Sequence, residues 1–160
     1  MNILLLTHER ELNKPTNTGS IALQNSDGVM ERILWQRKNP SRELVKLIDN
    51  NDALLLYPGE NEKSAKIEDY ENIIIIDGTW QESRKIYNKS AYLKRAPIVT
   101  LKVADSSVYQ LRRNQVPGGL CTIECVIEVL KIKGYTEQSM NLENEFLQFN
   151  KTFEVSRKDT

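Results

Sequence analysis

The sequence predicts an α/β fold in which helices cover both faces of a mostly parallel sheet. Four short runs are apolar throughout, and they cover residues 3–6, 53–57, 73–76 and 98–103. Continuous apolarity, rather than alternation, is typical of strands that are buried on both faces. Helical patterns lie between and after these runs, so strands and helices alternate along the chain. Because 160 residues is the length of one domain, we expect residues 1–160 to form a single domain.

The first strand leads into a polar segment that holds the one histidine of the chain, His8. Glu11 lies three residues further on, and Asn17-Thr18-Gly19 then predicts a turn or a cap before a short helix. A histidine near a glutamate is typical of a hydrogen-bonded loop residue, and a role at a functional site also stays open. Residues 29–35 are a weaker strand candidate, because their apolar residues do not alternate cleanly. A helix is predicted over 40–49.

The strand at 73–76 is followed directly by Asp77-Gly78-Thr79-Trp80, at the start of a helix predicted over 79–88. Thr79 and Glu82 have the spacing of a capping box, so both a structural and a functional role are open for them. The cap requires neither Asp77 nor Trp80. A carboxylate at the end of a buried strand can anchor loop amides, act as a general base or position a substrate.

The segment 104–119 is rich in hydroxyl groups, guanidinium groups and glycine. Arg112 is suited to clamping a carboxylate or a phosphate, and Tyr109 to stacking on a base, whereas the alternative is a solvated loop. A helix is predicted over 121–133, with Gly134 as its stop. Apolar residues at helical spacing over 140–153 predict a final helix with a packing face.

Lysine and arginine number 22, and aspartate and glutamate also 22, so the formal net charge is zero. This balance argues against binding to nucleic acid or membrane through a bulk field, and any anionic partner needs a local patch. The candidate patch is a basic stretch after residue 82. The alternative interpretation is that this stretch forms only a solvated helix face. The stretch contains Arg84, Lys85, Lys89, Lys94 and Arg95.

Cys121 and Cys125 lie four residues apart, which suits neither a disulfide framework nor a zinc site. We therefore predict no metal and a reduced, intracellular protein. The apolar run at the N-terminus is too short for a signal peptide or a membrane span, so we expect a cytoplasmic protein. No G-x-G-x-x-G, P-loop or G-x-S-x-G sequence occurs, and the usual nucleotide-binding and hydrolase signatures are thus absent.

Several ordered segments resemble a known family. Asp77-Gly78-Thr79-Trp80 is similar to the D-x-T-W signature of the DTW-domain family. Leu120-Cys121-Thr122-Ile123-Glu124-Cys125 is like the L-S-T-x-E-A helix start of that family, with Cys125 in place of alanine. The remaining matches keep the family order, and they are His8 with Glu11, Asn17-Thr18-Gly19, Tyr57-Pro58-Gly59 and Ser107-x-Tyr109-x-x-Arg112. Together the matches cover most of the chain.

The resemblance implies transfer of the 3-amino-3-carboxypropyl group of S-adenosylmethionine to N3 of a uridine in tRNA, with release of methylthioadenosine. It also implies a SPOUT-like fold whose C-terminal part is expected to form a knot. The expected partner is tRNA, with no membrane and no obligate protein partner. Many relatives carry a cysteine-rich N-terminal segment, whereas this chain has no cysteine before Cys121, a difference that bears on RNA binding or on the substrate.

On this resemblance we assign three groups of site residues. The candidate catalytic residues are Asp77, Thr79 and Trp80, with Asp77 as the first candidate for the base that removes the uridine proton. The residues assigned to the donor are Tyr57, Pro58, Gly59, Leu120, Thr122 and Glu124. The residues assigned to the RNA are His8, Asn17, Thr18, Ser107, Tyr109, Arg112, Arg84 and Lys85. The alternatives are an S-adenosylmethionine-dependent RNA methyltransferase and a non-catalytic RNA-binding domain of the same fold.

Overall fold

A computed structural model describes residues 1–58, 65–101 and 121–158 of the chain. Within these residues, five parallel strands form one sheet in the order β2-β1-β4-β3-β5. The strands are β1 (Asn2–Thr7), β2 (Met30–Leu34), β3 (Ala53–Leu56), β4 (Asn72–Asp77) and β5 (Ile98–Val99). The helices are α1 (Thr18–Gln24), α2 (Arg42–Asp49), α3 (Trp80–Lys89), α4 (Thr122–Ile132) and α5 (Thr136–Lys158). The predicted α/β class is confirmed, and so is the weaker strand candidate at 29–35.

Helices cover both faces of the sheet, as the continuous apolar runs predict. Ile73 and Ile75 belong to a core cluster that also contains residues of α1, α4 and α5. Ile74 and Ile76 belong to a second cluster, with residues of α2 and α3. Neighbouring residues of β4 therefore serve opposite faces, and all of them are apolar because both faces are covered.

The strand order creates a crevice between β1 and β4. These two strands are neighbours, with Thr7 at the end of β1 opposite Asp77 at the end of β4. The helix after β1 packs on one face of the sheet and the helix after β4 packs on the other. The two chain segments thus diverge at the carboxyl edge, which is where open parallel sheets hold their ligands.

The predicted helix caps are present. The Ser20 amide donates to Asn17 Oδ1 at 2.7 Å, so Asn17 caps α1. The Glu82 amide donates to Thr79 Oγ1 at 3.2 Å, and the Thr79 amide donates to Glu82 Oε1 at 2.8 Å, which completes the capping box of α3. Gly134, with a φ of 86°, ends α4, because this left-handed backbone favours glycine.

Two elements have a boundary that differs by more than two residues from the sequence prediction. Strand β5 ends at Val99 rather than at residue 103, because its partner β3 ends at Leu56 and Pro58 has no amide to continue the ladder. Residues 102 and 103 lie outside the described residues. Helix α5 extends over Thr136–Lys158 rather than over 140–153. The prediction was too short because it followed the apolar stripe, which covers only the middle of the helix.

The segment that links β5 to α4 lies outside the described residues, so the expected knot stays a prediction. Helix α5 has 23 residues, yet no helix in the described part of the chain is both long and apolar enough to cross a bilayer.

We expect Ile74→Ala to lower the free energy of unfolding by about 2–5 kcal/mol, because it leaves a cavity in the central strand, where Ile74 has 0% exposure. Urea denaturation followed by circular dichroism measures this loss. The matched control is Ile132→Ala at the end of α4, where the side chain is 38% exposed and the loss should be about 1 kcal/mol or less. Equal losses at the two positions would contradict the described core.

Candidate active site

The Asp77 carboxylate lies at the carboxyl edge with 0% exposure and accepts hydrogen bonds from four side chains. Thr7 Oγ1 donates to Asp77 Oδ2 at 3.2 Å, and Asn17 Nδ2 donates to Oδ1 at 3.0 Å. Arg32 Nη2 donates to Oδ2 at 3.3 Å, and Thr122 Oγ1 donates to Oδ1 at 2.9 Å. The donors come from β1, the α1 cap, β2 and α4. One buried carboxylate thus joins five elements.

Arg32 supplies the charge that balances this carboxylate. Its Nε donates to Thr7 Oγ1 at 3.2 Å, and its Nη2 donates to Asn17 Oδ1 at 3.2 Å and Ser20 Oγ at 3.1 Å. A buried carboxylate is tolerated only when a partner and further hydrogen bonds replace its hydration. Sequence reasoning missed Arg32. The one available signal was a basic residue inside a predicted strand. Because edge strands commonly contain charged residues, this signal alone does not indicate a functional site.

Gly19 allows α1 to approach this network. A Cβ atom built at Gly19 would lie 2.8 Å from Asp77 Oδ2, closer than real Cβ atoms approach oxygen. The first turn of α1 therefore requires a residue without a side chain, and the Asn17-Thr18-Gly19 segment combines this glycine with the cap residue that binds Asp77.

His8 is buried beside Asp77, directly after β1. Its ring stacks on Trp35, with centroids 5.9 Å apart and planes at 26°. The Arg10 amide donates to His8 Nδ1 at 3.2 Å, which places the ring proton of the neutral histidine on Nε2. Glu82 Oε2 lies 3.8 Å from Nδ1.

A second carboxylate, Glu11, is also fully buried in the crevice. It accepts hydrogen bonds from Asn17 Nδ2 at 3.0 Å and Lys14 Nζ at 2.8 Å, and Lys14 Nζ lies 3.8 Å from Glu82 Oε2. Among the described residues, the crevice therefore holds three carboxylates and two basic side chains. The carboxylates are those of Glu11, Asp77 and Glu82, and the cations are Lys14 and Arg32.

Helix α4 begins at this network, and several predicted residues hold its first turn. The Ile123 amide donates to Thr18 Oγ1 at 3.2 Å, and the Cys121 amide donates to Glu124 Oε1 at 3.0 Å. Thr18 and Glu124 thus bind backbone amides at the start of α4. Burial, with Glu124 and Glu128 nearby, raises the pKa of the Cys125 thiol to about 12, so it is no thiolate nucleophile at neutral pH.

Aromatic side chains lie beside the crevice, at the ends of β3 and β4. The rings of Tyr57 and Trp80 have centroids 5.9 Å apart, and the Arg84 guanidinium lies 6.0 Å from the Trp80 ring centroid. Burial raises the pKa of the Tyr57 phenol, Tyr87 raises it further, and Arg84 opposes the rise.

The structure brings one group of predicted site residues into contact and leaves others apart. Asn17, Asp77 and Thr122 meet in the crevice, and the His8 backbone amide donates to the Asp77 carbonyl oxygen at 3.2 Å. Thr79 serves the α3 cap. Pro58 and Lys85 are exposed. Five predicted residues lie outside the described residues, and they are Gly59, Ser107, Tyr109, Arg112 and Leu120. Within the described chain, no three histidine, cysteine, aspartate or glutamate side chains are arranged to hold a metal ion.

Comparison with known proteins gives these features a family context. The sequence model of the DTW domain matches residues 1–154. The chain belongs to the DTW domain family. The Asp-Gly-Thr-Trp segment of this DTW protein therefore lies at the carboxyl edge of its parallel sheet, with its aspartate inside the crevice.

Curated relatives of this DTW protein carry one name. The tRNA-uridine aminocarboxypropyltransferase 2 of Macaca fascicularis is 29% identical over 109 residues, which cover 61% of this chain and 36% of that protein. The protein of the same name from Drosophila melanogaster is 30% identical over 96 residues, which cover 56% of this chain and 38% of that protein. The matches thus span little more than a third of the length of these relatives.

A solved structure shares the fold. The SAM-dependent rRNA:acp-transferase Tsr3 from Vulcanisaeta distributa matches with a TM-score of 0.52 over 96% of this chain and 81% of that chain, at 14% identity. The match supports the SPOUT-like fold class that the resemblance implies.

We expect Arg32→Met to lower the free energy of unfolding by about 3–5 kcal/mol, because it leaves the buried Asp77 carboxylate without its cation. The matched control is Arg95→Met, which breaks an exposed pair with Asp49 and should cost about 1 kcal/mol or less. Urea denaturation measures both losses. A small loss for Arg32→Met would show that the network does not depend on its charge.

We expect Gly19→Ala to destabilise the protein by about 1–3 kcal/mol, because the new methyl group would overlap the Asp77 carboxylate. The sign of this stability change is informative, because alanine is otherwise favoured over glycine inside a helix by about 1 kcal/mol. Gln24→Ala, an exposed change in the same helix, is the control and should leave the melting temperature almost unchanged. A rise in melting temperature for Gly19→Ala would contradict the close approach.

Proposed function

We propose that this chain transfers the 3-amino-3-carboxypropyl group of S-adenosylmethionine to N3 of a uridine in tRNA. The observation that carries the proposal is the position of the DTW segment, with Asp77 inside the crevice between β1 and β4 and Trp80 beside it. Membership of the DTW family and the names of the curated relatives support the same reaction.

The aromatic side chains beside the crevice suit this donor. The rings of Tyr57 and Trp80 offer flat apolar surface for adenine or uracil.

In the reaction, uridine N3 loses its proton and forms a bond to the γ-carbon of the 3-amino-3-carboxypropyl group. The bond from that carbon to sulfur breaks, and its electron pair stays on sulfur in neutral methylthioadenosine. The protein has to hold the γ-carbon, rather than the methyl group, in line with N3. Positioning of this kind contributes several kcal/mol to lowering a barrier.

Asp77 was assigned as the base from the sequence, and that role stays a prediction. Its contacts favour a positioning role, because both oxygens already accept hydrogen bonds and neither faces solvent. In that role Asp77 fixes Asn17 and Thr122, and thereby sets the first turns of α1 and α4 around the crevice. Either role requires the carboxylate. An amide is a poor substitute, because both carboxylate oxygens accept hydrogen bonds from donors and an amide nitrogen cannot accept them.

We expect the wild-type protein, incubated with S-adenosylmethionine and bulk tRNA, to produce methylthioadenosine and an aminocarboxypropyl-uridine nucleoside. Mass spectrometry of the small molecules and of digested tRNA measures both products. Release of S-adenosylhomocysteine with a methylated nucleoside would instead identify a methyltransferase. Absence of every product, with tRNA still bound, would identify a non-catalytic RNA-binding domain.

In the same assay, Asp77→Asn is expected to abolish the product while donor binding stays measurable by calorimetry. Its amide nitrogen would face donors that now bind an oxygen, so circular dichroism must first show that the variant is folded. Lys46→Gln, on the exposed side of α2, is the matched control and should keep wild-type turnover. Full turnover by a folded Asp77→Asn protein would exclude both roles of the carboxylate.

A further inference from the structure

Three aromatic rings lie next to one another beside the crevice: two are stacked, the third is tilted by 32° against its neighbour, and a cation lies over each of the two outer rings. We call Tyr57, Trp80 and Tyr87, with the cations Arg84 and Lys94, the aromatic ladder. Tyr57 stacks on Tyr87, with ring centroids 4.2 Å apart and planes at 18°, and Trp80 lies 5.9 Å from Tyr57. Arg84 lies over the Trp80 ring at 6.0 Å, and Lys94 lies over the Tyr87 ring at 5.9 Å.

The two stacked rings of the ladder pack on the core and remain half-buried. Tyr57 and Tyr87 contact the core cluster that contains residues of α2 and α3. These contacts hold the two ring planes in place, while part of each residue stays accessible. The orientation of the platform is therefore set before any ligand arrives, which lowers the entropic cost of binding.

A ligand can displace the two cations that lie over the ladder. Arg84 and Lys94 are exposed, and the ion pairs among the described residues involve other basic side chains. A cation over an exposed ring contributes about 0.5–1 kcal/mol. Stacking of a nucleic-acid base on an aromatic side chain contributes about 1–3 kcal/mol, so a base can displace the cation.

The displaced cations would lie next to the phosphates of the stacked nucleotide. Lys85 and Lys89 are also exposed on α3, whereas Glu82, the one acidic residue of that helix, is buried in its cap. The exposed surface of α3 is thus basic beside the rings. Aromatic rings with flanking cations are the combination that binds single-stranded nucleic acid.

We propose that Tyr87 and Lys94 form a binding site for an unpaired RNA base, namely that of a nucleotide beside the target uridine. The ladder runs from Trp80, in the DTW segment, to Tyr87, seven residues further along α3. A base within a duplex has both faces stacked, so only an unpaired nucleotide can offer a face to Tyr87. Its identification as a neighbour of the target uridine rests on the proposed function. The site itself rests on the ladder geometry.

The test measures binding of a fluorescein-labelled single-stranded RNA, and of a duplex of the same length, without any donor. We expect Tyr87→Leu to weaken single-strand binding by about fivefold or more, because it keeps the apolar contact with the core but removes the ring face. Duplex binding should be unchanged. Tyr87→Phe is the matched control, and it should bind both RNAs like the wild type because it keeps the ring.

Lys94→Gln tests the cation. It should weaken single-strand binding and reduce the slope of log affinity against log salt concentration by about 0.7, the change expected for one phosphate contact with a single strand. Lys46→Gln on α2 should change neither quantity. Circular dichroism and thermal unfolding of each variant show that it is folded.

The proposal is overturned if folded Tyr87→Leu binds the single strand as tightly as Tyr87→Phe does. It is also overturned if inorganic polyphosphate displaces the RNA equally from both proteins, since the surface would then recognise charge alone. Because no donor is present, a protein that lacks transferase activity can still confirm the ladder. If the protein shows transferase activity but its RNA affinity does not depend on Tyr87, the proposed function stands and the proposed base-binding site is excluded.

Discussion

The structure depends on one buried negative charge, the carboxylate of Asp77. A carboxylate without water is stable only where the fold itself provides donors, and here four side chains provide them, one of which is the cation Arg32. The donors belong to separate elements, so each element has to be in place before the charge is satisfied. The same group that makes the site possible therefore constrains how β1, β2, α1 and α4 meet. Loss of the carboxylate would affect the crevice as a whole.

The topology of the sheet explains why this charge lies at the functional edge. Strands β1 and β4 are neighbours, and the helices that follow them pack on opposite faces. Their ends diverge at the carboxyl edge and form the crevice. Polar side chains from the two strand ends, with Thr122 from α4, lie at its base. The core isoleucines on both sides of β4 keep this strand in the centre of the sheet, so the position of Asp77 follows from the packing beneath it.

The protein has no net charge, yet its basic side chains serve two different purposes. In the crevice, Arg32 pairs with Asp77 and Lys14 pairs with Glu11, so these cations stabilise buried carboxylates. The basic side chains on the exposed surface of α3 and in the aromatic ladder face solvent instead. Trp80 lies between the crevice and this basic surface, because it follows the DTW aspartate by three residues and also belongs to the ladder. If the proposed function holds, the basic surface is the one available to RNA.

Local features of this protein follow from its sequence alone. Runs such as 73–76 predict strands, the Thr79 and Glu82 spacing predicts the cap of α3, and the segment after β4 indicates Asp77 as a site residue. These features depend on neighbours within a few positions, which a pattern of residue types records. The pairing of Arg32 with Asp77 and the stacking of Tyr57 on Tyr87 follow instead from the way the chain folds in three dimensions. Those contacts join positions 45 and 30 residues apart along the chain. They depend on the order and register of the strands. A single charged residue in an edge strand, or a tyrosine on a helix, does not indicate from its sequence neighbours which distant residue it will contact.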